Sequence, residues 1–161
     1  MAVGGKQERT QPEYGCGWDH FGVDYTYPND VHVLSMCRHW PKSPGNVSEA
    51  VVGTKGKSDC AGNISFHNGD PAWKPAGGGI NPYVQEHKDL IASIRSGNLL
   101  NEAEQVAYST LTAIMGREAA YTGKSIVWDE FLKSPMNLVP ENPALNTPPP
   151  EAKIPVPGKS S

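Results

Sequence analysis

Residue types that commonly do chemistry are concentrated in one segment of this sequence. Residues 19–40, DHFGVDYTYPNDVHVLSMCRHW, contain three histidines, a cysteine, an arginine and several aspartates. Histidine and carboxylate side chains act as general acids and bases, and together with thiolates they also bind metal ions. The segment is therefore either part of an active site or the polar face of a sheet.

Metal binding and nucleophilic catalysis each set a geometric requirement for this segment. A metal site needs three or four ligands that converge on one point; His20, Cys37 and His39 supply three candidates, but their spacing matches no known metal-binding motif. A nucleophile such as Ser35 or Cys37 must be held against a base. Diagonal neighbours across a hairpin lie about 5–8 Å apart between β-carbons, which is too far for a catalytic pair. A solvated or interfacial sheet face is the simpler interpretation.

The alternation of residues predicts that this segment is a β-hairpin. In residues 21–27 apolar or aromatic side chains occupy every second position, which is typical of a half-buried strand. The pattern resumes after the turn residues Asn29-Asp30. A two-residue loop at this point pairs Val23 with Met36. Because aspartate tolerates positive φ less well than glycine, a longer loop remains an alternative.

The two-residue loop also assigns the side chains of the hairpin to two faces. One face carries Phe21, Val23, Leu34 and Met36, and we expect helices to cover it. On the other face His20 lies opposite His39. That face presents five polar side chains: His20, Asp24, Ser35, Cys37 and His39. Such a face can bind a metal ion, a ligand or another protein.

The remaining strands are short, and two helices follow them. Strands are predicted at residues 48–54, 58–61, 64–66 and 125–128, with turns at 55–57 and 62–63. Strands that precede helices in this way indicate an α+β fold, with a mainly antiparallel β-sheet and helices packed on one face.

Capping residues set the predicted bounds of the helices. Asn81 caps the first helix, with Pro82 in its first position, and Gly97 ends it. The second helix begins at a capping-box variant, residues 101–104, and ends at Gly123. Asp129 is expected to cap a short turn of helix that ends before Pro135. Tyr83 and His87 lie on the apolar stripe of the first helix, where a hydrogen-bonded, partly buried histidine is the ordinary interpretation.

Composition excludes several classes of protein. The net charge is −3 and no stripe of lysine and arginine occurs, so nucleic acid is not an expected partner. No apolar run approaches the ~20 residues that span a bilayer, so no membrane contact is expected. The three cysteines form no CxxC spacing. From residue 140 onward seven of 22 residues are proline, which predicts a domain at 1–139 and an extended tail at 140–161, either solvated or laid along a surface.

Several stretches, in order, resemble one known family. The longest stretch is residues 81–132, NPYVQEHKDLIASIRSGNLLNEAEQVAYSTLTAIMGREAAYTGKSIVWDEFL. It closely resembles the last helices of the glucose–fructose oxidoreductase/inositol dehydrogenase/MocA (Gfo/Idh/MocA) family with a bacterial-type C-terminal domain. YGCGWDHFGVDYTYPNDVHVLSMCRHW and NVSEAVVGTKGK resemble the first hairpin and third strand of that domain, and KIPVPGKS is similar to its ending. The resemblance covers roughly residues 1–158. Asn29-Asp30 departs from the Asn-Gly turn that is frequent in the family.

The resemblance implies one half of a two-domain oxidoreductase. Family members join a Rossmann domain that binds NAD or NADP to an α+β domain that walls the substrate site and mediates oligomer contacts. Their chemistry is hydride transfer between the nicotinamide and a sugar, cyclitol or related carbinol. By this resemblance the expected partners are the missing N-terminal Rossmann domain and other copies of the chain, through the sheet face.

The residues that carry this chemistry in the family are not found in this sequence. No GxGxxG follows a strand, and Lys74-Pro75 is preceded by Trp73 instead of glutamate. The chain is therefore expected to begin partway into the C-terminal domain, to hold no cofactor alone and to contribute no catalytic residue, although NAD or NADP is expected for the full-length protein. The resemblance implies five substrate-wall residues: Asp19, His20, Arg38, Tyr83 and His87.

Two functions from different classes follow from these observations. The first is a substrate-wall and oligomerisation domain of an NAD(P)-dependent oxidoreductase of sugar metabolism, which is inactive without its nucleotide-binding half. The alternative is a non-catalytic binding or assembly module that uses the open sheet face. A metal or thiol site on that face is a third hypothesis. Both the bacterial cytoplasm and export from the cell remain open as locations.

Overall fold

The computed structural model describes residues 1–77, 79–147 and 153–159. The chain divides into two compact units, one made of Met1–Lys42 with Glu102–Ser161 and the other of Ser43–Asn101. The described elements are helices and two antiparallel three-stranded sheets, so the predicted α+β class is confirmed. The strands form two sheets where one was expected. The predicted domain boundary between residues 139 and 140 stays a prediction.

The sheet of the first unit has the strand order β1-β2-β3. Its strands are β1 (Ala2–Gly5), β2 (His20–Tyr27) and β3 (Val31–Arg38), and both pairings are antiparallel. β2 is central, and its alternating pattern buries Val23 on one face. The predicted hairpin is thus confirmed as a pair of strands.

The register of the hairpin differs by one residue from the two-residue-loop prediction. A three-residue turn, Pro28–Asp30, joins the strands, and Val23 pairs with Ser35, not with Met36. Asn29 and Asp30 both adopt positive φ, at 62° and 58°, which short polar side chains tolerate. The longer loop left open by the sequence is therefore the one that forms.

A shift of one residue moves every side chain of β3 to the other face. Ser35 and Cys37 lie on the same face as Val23, because they pair with Val23 and Phe21. Leu34 and Met36 lie on the opposite face. The predicted polar face is therefore wrong for β3.

The helix α2 (Ala103–Thr122) packs against β1 and β2. At the contact, the buried Gly116 faces Tyr25, whose hydroxyl donates a hydrogen bond to the backbone carbonyl of Thr112 at 3.1 Å. A β-carbon at Gly116 would collide with the Tyr25 hydroxyl, so this glycine allows the close approach of helix and strand. Ala119 and Ala120 are also buried, and small residues line this contact.

The ends of α2 are partly as predicted. Gly123 follows the helix in the left-handed conformation, and its N–H donates to the Ala119 carbonyl at 3.0 Å, which confirms the predicted end. At the start, Glu102 occupies the capping position and makes no side-chain capping bond, so the helix begins one residue later than a capping box at residues 101–104 predicts.

The segment after α2 is not a strand. Residues 124–127 have no regular structure, and the short helix α3 (Trp128–Phe131) follows, with Asp129 inside it instead of at its cap. The ring of Trp128 contacts Tyr108 at a centroid distance of 5.9 Å, which holds this segment against α2 instead of the sheet edge. The predicted edge strand at 125–128 is therefore wrong.

The described end of the proline-rich tail lies against α2. The N–H of Gly158 donates to the Thr122 carbonyl at 3.1 Å. Of the two alternatives for the tail, the one in which it is laid along a surface is observed for residues 153–159. Residues 148–152 and 160–161 of the predicted tail lie outside the described residues.

The second unit contains the strands β4 (Val51–Val52), β5 (Gly56–Ser58) and β6 (Ile64–Phe66), in that order. β6 has the predicted bounds, whereas β4 and β5 are shorter than predicted, and β5 begins inside the expected turn at 55–57. It ends at Ser58 because the Asp59 carboxylate accepts hydrogen bonds from the N–H groups of Ala61 and Asn63, which closes a turn.

The helix α1 (Pro82–Ser96) has the predicted bounds. The Asn81 side chain accepts a hydrogen bond from the Tyr83 N–H at 3.0 Å, and Gly97 is left-handed with φ 72°. Its apolar stripe is exposed, however, where a covered stripe was predicted. The buried residue of α1 is Ser93, whose hydroxyl bonds the backbone of Asn98 and Leu100 in the following turn.

Candidate functional site

The site begins with a buried carboxylate. Asp19, immediately before β2, is 3% exposed. Its Oδ2 accepts hydrogen bonds from the backbone N–H groups of three successive residues, Gln7, Glu8 and Arg9, at 2.7, 2.6 and 3.0 Å. Successive amides that point at one oxygen form an anion-binding nest, and here the anion belongs to the chain itself.

The second oxygen of Asp19 binds His20. His20 Nδ1 lies 2.7 Å from Asp19 Oδ1. Burial acts to raise the pKa of Asp19, but the hydrogen bonds from the Arg9 N–H, the His20 ring and two further amides outweigh it and hold that pKa well below its ordinary value. Asp19 is therefore an anion whose two oxygens are both engaged by the chain. It lies behind His20 and orients it.

His20 is held in one orientation, and one of its ring nitrogens has no hydrogen-bond partner among the described residues. Because an ionised carboxylate only accepts hydrogen bonds, the neutral His20 ring carries its proton on Nδ1. The Trp40 ring stacks on it, with 5.1 Å between centroids and 18° between planes. No described residue hydrogen-bonds Nε2, and the side chain is 30% exposed. Nε2 is therefore an available acceptor for the proton of a ligand hydroxyl.

Two cations and another histidine lie around this pair. Arg38 is the residue directly opposite His20 in the register of β2 and β3, a position where His39 was predicted. His39 instead donates its backbone N–H to the Asp19 carbonyl at 2.8 Å, and its Nδ1 lies 3.2 Å from Arg9 Nη2.

Sequence reasoning missed Trp40 and Arg9. Trp40 has the same strand parity as Arg38, so the observed register places it on the face of His20, whereas the register of a two-residue loop assigns it to the other face. Arg9 lies in a segment with no periodicity, where the sequence carries no such signal.

A second cluster of charged groups lies at the other end of the hairpin. His32 Nδ1 contacts both carboxylate oxygens of Asp24, at 2.8 and 3.0 Å, and its Nε2 lies 3.3 Å from Asp30. The hydrogen bond to Asp24, followed by that to Asp30, raises the pKa of His32. Both ring nitrogens are engaged, so His32 is not an available base.

The third hypothesis, a metal or thiol site, lacks a converging set of ligands among the residues that the structure describes. Cys37 pairs with Phe21 and so lies on the opposite face of the sheet from His20. In the part of the chain that the structure describes, no group of three or more histidine, cysteine, aspartate or glutamate residues is placed to hold a metal ion.

The predicted site residues are divided between the two units. Asp19, His20 and Arg38 belong to the first unit and lie together, whereas Tyr83 and His87 belong to α1 in the second. Tyr83 and His87 are both exposed, and His87 Nδ1 lies 2.6 Å from the Tyr83 carbonyl oxygen of its own helix. The expected hydrogen bond of His87 is present, but the side chain is not partly buried.

The open face of the first sheet carries apolar side chains beyond the polar site. Val3, Leu34 and Met36 lie on the face opposite α2 and are 67%, 69% and 79% exposed. Val3 and Met36 both pair with Gly22, which has no side chain to separate them. The face is therefore apolar in its middle, with the His20 cluster at one end and the His32 cluster at the other.

Comparison with models of known families, with curated proteins and with solved structures finds no match to this chain. The resemblance to the Gfo/Idh/MocA family therefore stays a prediction from the residues quoted above. Within the described residues, the helices are all too short or too polar to cross a membrane.

Proposed function

We propose that this chain is the substrate-wall and oligomerisation domain of an NAD(P)-dependent oxidoreductase that acts on a sugar, cyclitol or related carbinol. The observation that supports the substrate role is the buried Asp19 carboxylate, which fixes His20 and leaves its Nε2 without a hydrogen-bond partner in the part of the chain that the structure describes. The segments that resemble the Gfo/Idh/MocA family supply the class of reaction.

A sugar or cyclitol ring presents most of its hydroxyl groups around its edge and C–H groups on its faces. His20 Nε2 accepts a hydrogen bond from a hydroxyl. Because Asp19 already holds the His20 ring in this orientation, little conformational entropy is lost when a substrate binds. The Trp40 ring, stacked on His20, supplies an apolar surface for C–H groups. Arg38, opposite His20, adds a cation to the same face. These groups bind and orient a substrate.

A dinucleotide does not fit the residues of this chain. The sequence has no GxGxxG between a strand and a helix, and the glycine run at residues 77–79 leads into Ile80-Asn81-Pro82, without the third glycine of that motif. We therefore assign the nucleotide to a separate Rossmann domain, and the chain alone is not a complete enzyme. Tyr83 and His87 remain proposed substrate-wall residues.

The exposed apolar residues of the open face favour the alternative as well. Val3, Leu34 and Met36 form a surface that a second copy of the chain would cover, which supports the proposed homo-oligomer. In a pure assembly module this surface is the whole function, and His20 has no ligand.

Polyol binding to the purified chain separates the two functions. In saturation-transfer NMR with glucose and with myo-inositol, we expect signals from ring protons that weaken in His20→Ala and in Trp40→Ala. His67→Ala, an exposed histidine of the second unit whose Nε2 contacts the Gly53 carbonyl, is the matched control and should behave as the wild type. Equal signals in His20→Ala and the wild type, or no signal from any polyol, would refute the substrate role. The assembly function would then remain.

A further inference from the structure

An asparagine–glycine pair lies in the loop that follows β6 in the second unit. Asn68 is the single asparagine of the sequence that is followed by glycine, and both residues are exposed. Gly69 has φ 84°, and apart from its chain neighbours no described residue lies within 4 Å of the position that a β-carbon would take. Because glycine has no side chain, its backbone nitrogen is open to approach by the side chain before it.

Asp70 holds the side-chain amide of Asn68 by both polar atoms. The Asp70 N–H donates to Asn68 Oδ1 at 3.1 Å, and Asn68 Nδ2 donates to Asp70 Oδ2 at 2.7 Å. The first bond closes a ring that contains both Asn68 Cγ and the Gly69 nitrogen, so it limits the distance between these atoms. It also draws electron density away from Cγ. No described residue accepts a hydrogen bond from the Gly69 N–H, so this nitrogen is not held away from the carbon.

We propose that Asn68 is a site of spontaneous deamidation. The Gly69 nitrogen loses its proton to hydroxide and attacks Asn68 Cγ. A bond forms between this nitrogen and Cγ, the bond from Cγ to Nδ2 breaks, and ammonia leaves with a proton taken from water. Water then opens the resulting succinimide ring at either carbonyl, which leaves aspartate or isoaspartate at position 68. The net reaction consumes one water and releases one ammonia, and no group is oxidised or reduced.

The modification changes the loop, because the new group repels its former partner. A carboxylate at position 68 takes the place of the NH₂ group that now donates to Asp70, and two carboxylates this close repel each other. The loop joins β6 to Trp73, which exchanges two backbone hydrogen bonds with Ile64, at 2.8 and 3.0 Å. We therefore expect deamidation to loosen the pairing of Trp73 with Ile64. The proposal goes beyond the oxidoreductase assignment, because it involves none of the residues around His20.

The test incubates the purified wild-type chain at mildly alkaline pH and follows it by isoelectric focusing and by mass spectrometry of its peptides. We expect residue 68 to deamidate at least about tenfold faster than Asn63. Asn63 is the matched control, since its Nδ2 also donates to an aspartate, at 2.6 Å, but isoleucine follows it. Gly69→Ala should slow the reaction at residue 68 about tenfold, because a side chain obstructs the nitrogen. Asn68→Gln should slow it as well, because its longer side chain must close a larger ring.

Hydrogen exchange measures the consequence for the loop. The Trp73 N–H should exchange at least about threefold faster in Asn68→Asp than in the wild type. Asn46→Asp adds the same charge at an exposed position of the second unit and should exchange at this amide as the wild type does. Three results would overturn the proposal: equal deamidation at Asn68 and Asn63, an unchanged rate in Gly69→Ala, or equal exchange of the Trp73 N–H in the two aspartate variants.

Discussion

Replacement of Asp19 tests whether this carboxylate organises the first unit. Asp19→Ala removes the acceptor of three backbone N–H groups and of the His20 ring. Hydrogen bonds to a charged group are worth about 1.5–3 kcal/mol each, but residues 7–9 are exposed and water replaces part of the loss. We therefore expect the free energy of unfolding to fall by about 3 kcal/mol, as measured by urea denaturation.

Asp19→Asn should have a smaller effect on stability and a distinct effect on His20. The amide oxygen still accepts from the nest, so the expected loss is about 1–2 kcal/mol. The amide NH₂ then faces His20 Nδ1, which favours the tautomer with the proton on Nε2. Nitrogen-15 chemical shifts of the His20 ring report this exchange of tautomers.

Asp19→Asn should also remove the part of the pH dependence of stability that comes from the Asp19 carboxylate. The pKa of Asp19 is lower in the folded chain than its unfolded value of about 3.9, so its contribution is present above that pH and is lost as the pH falls through the folded pKa. The wild type should therefore lose stability below about pH 4 more steeply than Asp19→Asn. Glu141→Ala, which removes an exposed carboxylate from an irregular segment of the same unit, is the control and should change stability by less than about 0.5 kcal/mol. Asp19→Ala as stable as Glu141→Ala would refute the organising role.

Three further perturbations test other contacts of the first unit. Gly116→Ala places a β-carbon against the Tyr25 hydroxyl and should lower the free energy of unfolding by about 2 kcal/mol in urea denaturation. His32 should titrate above its ordinary pKa by NMR, and Asp24→Asn should bring that pKa down. Its contribution to stability is present below the unfolded pKa of about 6.5 and is lost as the pH rises through the folded pKa. Leu34→Lys should reduce the mass measured by light scattering without lowering stability, because Leu34 is exposed in one copy of the chain.

Each of these expectations has a control and a contrary result. For the helix contact, the control is Ser109→Ala, at an exposed position of α2. If the Gly116→Ala variant is as stable as the Ser109→Ala variant, the close packing is contradicted. For His32, an Asp24→Asn variant in which the pKa of His32 is unchanged would contradict the pairing. For the sheet face, Val47→Lys is the matched change in the second unit, and an equal loss of mass there would show a non-specific charge effect.

Local capping chemistry made the bounds of α1 predictable from the sequence. Asn81, Pro82 and Gly97 each act through backbone groups within a few residues of themselves, so their effect does not depend on the rest of the fold. The end of α2 at Gly123 was predictable for the same reason. The supposed strand at 125–128 was not, because a contact between Trp128 and Tyr108, distant in sequence, decides its conformation.

The pairing of Asp19 with His20 was only half accessible to sequence reasoning. Asp19 and His20 were both candidate site residues, but their being adjacent in the sequence does not show that Asp19 is buried. The burial of Asp19 comes from the loop at residues 7–9, which folds over it and donates three amide hydrogen bonds. That loop has no periodicity and no recognisable motif, so its contribution appears only once the backbone is positioned.

The register between β2 and β3 determines which side chains lie on the open face of the first sheet. A two-residue turn would have placed Ser35 and Cys37 on that face, as nucleophiles near His20. The three-residue turn, in which Asn29 and Asp30 both accept positive φ, places Leu34 and Met36 there instead. The face is thereby made suitable for contact with another surface along its middle, and its chemistry is confined to the end where Asp19 holds His20 beneath Trp40. Turn chemistry at two residues therefore determines whether this sheet presents nucleophiles or an apolar surface.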